Sequence, residues 1–187
     1  TTNDVIWSSP TVVNDKVYVG SFDHKIYCLD AFTGSLIWNF TTRDRVWSSP
    51  AVVGDKVYVG SYDFNIYCLD ASTGTRLWNY TTQGSVPASP AFADGRVYVG
   101  SMDNNTYCLD AFTGAQIWNY TTGGQVNSCS IADGKIYAGS NDHNVYCLNA
   151  ATGLYMWSYP TGDWVYSSPA IAEGKVYVGS FDGNVYC

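Results

Sequence analysis

The stretch that decides the fold is YCLDAFTGSLIW at residues 27–38, which returns as YCLDASTGTRLW at 67–78 and YCLDAFTGAQIW at 107–118. A looser copy, YCLNAATGLYMW, occupies residues 146–157. A catalytic motif normally occurs once in a chain, because one substrate needs one set of reacting groups. Recurrence at a fixed period instead indicates a repeat architecture, in which each unit contributes one supersecondary module.

The period of the repeat is 40 residues and is marked by five Tyr-Cys pairs. Their cysteines are spaced by 40, 40, 39 and 40 positions, and the single deletion lies near Cys129. We therefore expect one repeat array over residues 1–187. Its units are 1–40, 41–80, 81–120, 121–159 and a partial unit, 160–187, that stops after its Tyr-Cys.

Each unit is predicted to contain four short strands. In the second unit SSPAVV, KVYVGS, NIYCLDA and TRLWNYT are rich in Val, Ile and Tyr, and turn residues separate them. Four strands in 40 residues are typical of a blade of a β-propeller, a small antiparallel sheet packed radially. The Gly, Pro and β-branched content argues against a helical repeat. The predicted fold is an all-β propeller with four complete four-stranded blades and a partial fifth.

The residues from Cys28 to Trp38 resemble the tryptophan-docking motif of the quinoprotein-type (PQQ-like) propeller repeat, Ala-x-Asp-x-x-Thr-Gly-x-x-x-Trp, with Cys in place of Ala. The resemblance recurs through the chain, whereas the Trp-Asp pair of WD40 blades is absent. It implies that each Trp lies against a turn of a neighbouring blade, and that the Gly of the motif supplies positive φ there. The structural docking residues so identified are Trp38, Trp78, Trp118, Trp157, Gly34, Gly74, Gly114 and Gly153.

Two loops vary most between units: the residues before the first strand and the turn after the second strand. In an up-and-down blade these loops lie at the same end, so they are expected to form one face. Exposed aromatic residues there suit a recognition surface, although exposed loops also diverge without any function. The candidate recognition residues are Trp7, Trp47, Trp164, Tyr166, Phe22, Tyr62 and Phe64, with Met102, Phe181, Arg43 and Arg45 nearby.

Composition and charge limit the partners. The net charge of −7, with nine scattered Lys and Arg residues, gives no basic stripe for nucleic acid. No apolar run is long enough for a membrane span. No basic segment followed by an apolar stretch marks a signal peptide, so any export signal is expected to have been removed or to lie outside this chain. The five in-phase cysteines are expected to be too far apart for disulfides. His24 and His143 fall in equivalent turns, three units apart, and no spacing suggests a metal site.

Four Asn-x-Thr sequons make N-glycosylation a candidate modification, at Asn39, Asn79, Asn104 and Asn119. Duplication of one Asn-x-Thr explains three of them equally well. Together with the low Lys content and the usual location of the family that the repeat resembles, they favour an extracellular or cell-envelope location.

Three functions are left open by the sequence. A quinoprotein dehydrogenase is disfavoured, because the chain has no adjacent Cys pair and a single Glu, Glu173. The favoured reading is a non-enzymatic scaffold or recognition module without cofactor, self-associating through open blade edges. The alternative is a sensor ectodomain that binds a protein, glycan or other ligand. Whether the chain is a fragment of a longer propeller is also open.

Overall fold

The structure is a computed structural model that describes residues 2–187. Within this range the regular elements are 19 β-strands. The first two blades contain β1 Thr11–Val13, β2 Lys16–Gly20, β3 Lys25–Asp30, β4 Leu36–Thr41, β5 Ala51–Val53, β6 Lys56–Gly60, β7 Asn65–Asp70 and β8 Arg76–Thr81. The next two contain β9 Ala91–Ala93, β10 Arg96–Gly100, β11 Asn105–Asp110, β12 Gln116–Thr121, β13 Val126–Ala132, β14 Lys135–Ser140, β15 Asn144–Asn149 and β16 Tyr155–Pro160. The last contains β17 Ala170–Ala172, β18 Lys175–Gly179 and β19 Val185–Tyr186.

Every blade is an antiparallel sheet whose strands follow the order of the chain. Four sheets have four strands and the fifth has three. The predicted β-propeller fold, with four complete blades and a partial fifth, is therefore confirmed. The chain forms two compact units, which are larger than the repeat units of the sequence. The first unit extends to Pro90 and contains the first two blades, and the second unit begins at Ala91 and contains the other three.

The tight turns between the first and second strands carry the residues that such turns need. Asn14 and Asp15 adopt φ of 51° and 59° in the first blade, and Gly54 has φ of 60° in the second. Positive φ at these positions matches the right-handed twist of the flanking strands. The Asn-Asp and Gly-Asp pairs thus fix the register of the hairpins in the first two blades.

A β-bulge lies between the motif Cys and the following Leu in each complete blade. In the first blade the register shifts between Cys28 and Leu29, and Trp38 pairs with Cys28 across the strands. The same shift occurs in the other three. A bulge increases local twist and re-aims side chains, so it fixes where the Trp ring leaves the outer strand.

The core lies between successive sheets. In the first unit Tyr18 and Trp38 pack with Val57, Leu69 and Ala71 in one cluster of buried residues. A similar cluster in the second unit joins its first two blades. Burying apolar area contributes roughly 25 cal/mol per Å², and a blade has no core of its own. The stability of each unit therefore comes from contacts between blades.

None of the described residues, 2–187, lies in a helix that could cross a membrane.

Candidate recognition surface

Four aromatic residues of the predicted face form one cluster in the first unit, here called the aromatic stack: Trp7, Phe22, Trp47 and Tyr62. The rings of Trp7 and Trp47 stack with centroids 4.7 Å apart and an angle of 25° between their planes. Tyr62 continues the stack from Trp47 at 5.8 Å, and Phe22 lies 6.0 Å from Trp7. Trp7 is 62% exposed and the other three are half-buried. The stack therefore presents a wide apolar surface to solvent.

Arg45 lies over this cluster. Its Cζ atom is 5.5 Å from the ring centroids of both Phe22 and Tyr62. A guanidinium within about 6 Å of an aromatic centroid is attracted by the electrons of the ring face. Arg45 Nε also lies 3.7 Å from Asp44 Oδ1 in an exposed ion pair. Such a pair contributes little to stability. The stack thus combines an apolar surface with a cation held against it.

Backbone hydrogen bonds between the two variable loops hold the stack in place. Phe22 N donates to Val5 O, and Tyr62 N donates to Arg45 O, both at 2.9 Å. Each loop carrying a tryptophan is thereby tied to the turn that carries its stacking partner. Binding residues on loops that a rigid sheet positions lose little conformational freedom when a ligand binds.

The second unit repeats part of this arrangement in its last blade. Tyr166 lies edge-on to Phe181 at 5.8 Å, and Trp164 lies 6.2 Å from the same ring. In the fourth blade, by contrast, the equivalent positions hold two amides, and Asn127 Nδ2 donates to Asn141 Oδ1 at 2.7 Å. The same frame therefore carries aromatic pairs in some blades and an amide pair in another.

Phe64, which was also predicted for this face, is not one of the four rings of the aromatic stack. It occupies a left-handed turn position with φ of 72° and is 47% exposed. No ring contact joins it to the other residues of the face in the described structure.

A pairing that the sequence analysis missed explains the Asp that recurs after the second strand. Tyr67 Oη donates to Asp63 Oδ2 at 2.7 Å, and Asn65 N donates to Asp63 Oδ1 at 3.1 Å. The same Tyr-to-Asp bond occurs in all five blades. The sequence indicates this hydrogen bond through an Asp and a Tyr four residues apart in every repeat. Because these hydrogen bonds already engage the carboxylates, the Asp residues act as structural acceptors.

The pairing shifts the pKa of both partners. In the first blade the pKa of Tyr27 is raised to about 12, mainly by burial and to a smaller extent by the hydrogen bond to Asp23. Burial alone would raise the pKa of Asp23, but hydrogen bonds from Tyr27 and the Asn3 backbone outweigh it and lower the pKa. Each group therefore favours the protonation state that the bond requires.

The tryptophans of the motif occupy two kinds of environment. Trp38 Nε1 donates to Ala71 O at 3.1 Å and Trp118 Nε1 donates to Ala150 O at 3.0 Å. Both rings are buried, as is Trp78. Trp157 is 38% exposed and borders an apolar cleft of about 600 Å³.

The motif glycines lie in left-handed turns, with φ of 69° at Gly34 and 73° at Gly74, Gly114 and Gly153. A Cβ atom on Gly74 would lie 2.6 Å from Trp38 Cε3, and one on Gly153 would lie 2.7 Å from Trp118 Cδ2. Nothing lies within 4 Å of such an atom on Gly34. The close approach at Gly74 and Gly153 leaves no room for a side chain beneath the indole ring.

The sequon asparagines differ in their hydrogen bonds. Asn79 Nδ2 donates to Asn65 Oδ1 at 2.9 Å, and Asn119 Nδ2 donates to Asn105 Oδ1 at 3.1 Å. Asn39 is exposed on β4, where Lys25 takes the place of that acceptor Asn. Asn104 is half-buried in a left-handed turn with φ of 71°.

The cysteines are thiols, and five of the six are buried. Burial raises the pKa of Cys68 to about 12 and that of Cys129 to about 12, so neither forms a nucleophilic thiolate at neutral pH. Cys187 is exposed. Within residues 2–187 no group of three or more His, Cys, Asp or Glu residues could hold a metal ion.

A family model described as outer membrane protein assembly factor BamB matches residues 2–89 and 66–187. Among solved structures, BamB from Moraxella catarrhalis is similar with a TM-score of 0.85 and 25% identity, over 97% of this chain and 60% of that chain. A quinohemoprotein alcohol dehydrogenase from Comamonas testosteroni has a TM-score of 0.78 at 19% identity, over 94% of this chain and 39% of that one, and shares the fold alone. No curated protein matches the sequence.

Proposed function

We propose, because the chain belongs to the family described as outer membrane protein assembly factor BamB, that it is a non-enzymatic recognition and scaffold module of the cell envelope. The observation that carries this proposal is the aromatic stack with Arg45 above it. Aromatic residues and Arg are the residue types that contribute most binding energy at protein interfaces. A scaffold role at the coarse level follows from the BamB-like fold.

The partner in this proposal is a protein segment that lies across Trp7 and Trp47. Their stacked rings offer a flat apolar surface, and Arg45 offers a cation for a carboxylate or a backbone carbonyl. The chain spans 60% of the BamB chain to which it is similar. The partners of that protein are therefore not transferred, and the aromatic stack defines the partner only by its chemistry.

A non-enzymatic role is supported by the chemistry of the residues. A quinone enzyme of the kind that the repeat resembles needs an adjacent Cys pair and a carboxylate-rich metal site. The only Glu, Glu173, lies in the hairpin between β17 and β18 with φ of 51°. Five of the six cysteines lie about one repeat apart, and all six are free thiols. The residues present do not fit the quinone and its metal.

Self-association is the second part of the proposal. Within residues 2–187 the edge strand β19 pairs with β18 alone, and Val185 on it is 78% exposed. Unpaired N–H and C=O groups on such an edge can pair with another chain. The cleft beside Trp157 extends the apolar surface at this end of the second unit.

Peptide selection tests the recognition role. A random peptide library displayed on phage is panned against the whole chain, and selected peptides are then measured by titration calorimetry. Trp47→Ala and Trp7→Ala are expected to weaken binding at least tenfold, whereas Phe112→Ala, which removes a 73% exposed ring outside the stack, leaves it unchanged. Selected peptides that bind all three variants equally would contradict the proposal, as would a failure to select any.

Location is tested separately in the source cell. Protease added to intact cells, or to cells whose outer layer has been opened, should degrade the protein while a cytoplasmic marker survives. Protection of the protein together with that marker would refute the envelope location.

A further inference from the structure

Three of the four sequons lie at one position of the repeat, on the outer strands of the first three blades. The three Asn-Thr pairs are Asn39 with Thr41, Asn79 with Thr81 and Asn119 with Thr121. All six residues are exposed. The second and third blades have a further blade before and after them in the chain, so exposure at this position is a property of the repeat. Access to solvent therefore does not distinguish the three sequons.

Hydrogen bonds within the blade do distinguish them. In the second blade Asn65 Oδ1 accepts hydrogen bonds from Asn79 Nδ2 at 2.9 Å and from Thr81 Oγ1 at 2.7 Å. Asn65 Nδ2 in turn donates to the backbone oxygen and to Oδ1 of Asp63, which fixes the Asn65 amide with its oxygen towards the sequon. The two polar groups that define a sequon, the Asn nitrogen and the Thr hydroxyl, are thus held by one acceptor.

The third blade repeats this network. Asn105 Oδ1 accepts from Asn119 Nδ2 at 3.1 Å and from Thr121 Oγ1 at 2.6 Å, and Asn105 Nδ2 donates to Asp103. The carbonyl oxygen of Asn119 also accepts from Gln116 Nε2 at 3.0 Å. The side-chain amide of Asn119 is therefore held at both of its ends.

The first blade lacks the acceptor. Lys25 occupies the position of Asn65 and lies opposite Thr41 across the strands, as Asn65 lies opposite Thr81. An ammonium group has three donors and no acceptor, so it cannot accept a hydrogen bond from Asn39 Nδ2 or Thr41 Oγ1. In the part of the chain that the structure describes, neither of these two groups makes a hydrogen bond.

The fourth sequon is closed in a different way. Its asparagine, Asn104, lies in a left-handed turn with φ of 71°, and its threonine, Thr106, is 0% exposed. Thr106 lies on β11, which is paired with β10 on one side and β12 on the other. A modifying enzyme could reach this hydroxyl only if both of these strand pairings opened.

We propose that, of the four sequons, Asn39 is the one that takes an N-linked glycan in the folded protein. Asn39 Nδ2 forms a bond to the anomeric carbon of a sugar that is supplied as a lipid-linked diphosphate. The bond from that carbon to the diphosphate oxygen breaks, the lipid diphosphate leaves with the electron pair, and Nδ2 loses one proton to a base of the transferase. This inference rests on the envelope location proposed above, where such a transfer takes place.

Local opening of the outer strand explains the selectivity. A sequon on a strand must leave its sheet before it can enter the active site of an enzyme, and an edge strand opens at the lowest cost because one ladder breaks. In the second and third blades two side-chain hydrogen bonds must break as well, to Asn65 or to Asn105. Two net hydrogen bonds reduce the open population by about tenfold or more. Transfer to Asn39 is therefore expected to be faster by that factor.

Initial rates of transfer to the folded chain test this inference. The whole chain, produced in a host without N-glycosylation, is incubated with an oligosaccharyltransferase and its lipid-linked donor, and glycopeptides are quantified by mass spectrometry. Synthetic peptides that carry the three outer-strand sequons give the intrinsic rate of each sequence, by which the rates on the folded chain are divided. The normalised rate at Asn39 should exceed those at Asn79 and Asn119 about tenfold, with Asn104 unmodified. Equal normalised rates at the three sequons would overturn the inference.

Two reciprocal variants exchange the acceptor between blades. Lys25→Asn places an amide opposite Thr41 and should lower the rate at Asn39 about tenfold. Asn105→Lys removes the acceptor from the third blade and should raise the rate at Asn119 by a similar factor. Lys25 and Asn105 are both half-buried, so each position has room for the other residue. Circular dichroism checks that both variants fold, and Lys25→Asn decides the question by itself if Asn105→Lys does not.

Lys25→Met is the matched control. It removes the charge of Lys25 without supplying an acceptor, so the rate at Asn39 should stay at the wild-type value. A loss of rate that is the same in Lys25→Met and Lys25→Asn would assign the effect to the lysine itself and overturn the role of the acceptor. A rate at Asn39 that Lys25→Asn leaves unchanged would do the same.

Protein purified from the source cell gives an independent readout. Its Asn39 peptide should carry a glycan, whereas the peptides with Asn79, Asn104 and Asn119 should not. An unmodified Asn39 overturns this inference even where the protease assay shows an envelope location. Protection of the protein together with the cytoplasmic marker overturns the location as well, and neither result affects peptide binding at the aromatic stack.

Discussion

Replacing Gly74 with alanine tests how closely the Trp38 ring approaches the next blade. Gly34 provides the matched control, because both glycines lie in the same turn with φ of 69° and 73°. An alanine in the left-handed region costs about 1–2 kcal/mol at either position. At Gly74 the new Cβ also lies 2.6 Å from Trp38 Cε3, while the hydrogen bond from Trp38 Nε1 to Ala71 O restrains the ring.

Overpacking of this kind adds about 1–3 kcal/mol. We therefore expect Gly34→Ala to lower the free energy of unfolding by about 1–2 kcal/mol and Gly74→Ala by about 2–5 kcal/mol. Urea unfolding followed by circular dichroism measures both. In a Trp38→Ala background the difference between the two should vanish, since the interaction energy in such a cycle isolates the contact. Equal losses in the wild-type background, or a difference that persists without Trp38, would refute the reasoning.

Other consequences can be measured on the same chain. Trp118→Ala should lower the free energy of unfolding by about 3–5 kcal/mol. Trp157→Ala should lower it by less than half as much, because the Trp118 ring is buried whereas Trp157 is 38% exposed. Similar losses for the two variants in urea unfolding would contradict this expectation. Hydrogen bonds from Thr113 lower the pKa of Asp110, so its stabilisation is present above the ordinary value of 3.8 and is lost as pH falls below it. Asp110→Asn, the residue that the fourth blade carries, should therefore flatten the acid limb of a plot of Tm against pH; an unchanged slope would show that the turn is not stabilised by ionisation. A maleimide should label Cys187 in the native protein and leave Cys68 unmodified, as mass spectrometry would show; rapid labelling at Cys68 would mean that its blade opens.

The repeat separates a fixed frame from variable positions. The Tyr-to-Asp bond recurs in all five blades, and the β-bulge after the motif Cys recurs in the four complete blades. The two positions that form the aromatic pairs, by contrast, carry Trp47 and Tyr62 in one blade and Asn127 and Asn141 in another. Because the frame is held by backbone and buried groups, these side chains can change without loss of the fold. The proposed recognition surface therefore occupies the positions where the frame tolerates substitution.

The sequence by itself determined the blades. The period set the number of units, the alternation of Val and Tyr set the strands, and the Asn-Asp, Gly-Asp and Asp-Gly turns set the hairpins. All of these depend on contacts between residues close in the chain, which a sequence pattern records directly. For the same reason the two loops of the aromatic stack could be assigned to one face before their geometry was known.

Only the tertiary structure decided which of those residues meet. The contact of Trp7 with Trp47 spans two blades and depends on how the sheets pack, so the sequence could not distinguish these residues from Phe64, which makes no ring contact with them among the described residues. A repeat assigns every unit the same local structure, and the packing of neighbours then determines which surfaces remain open.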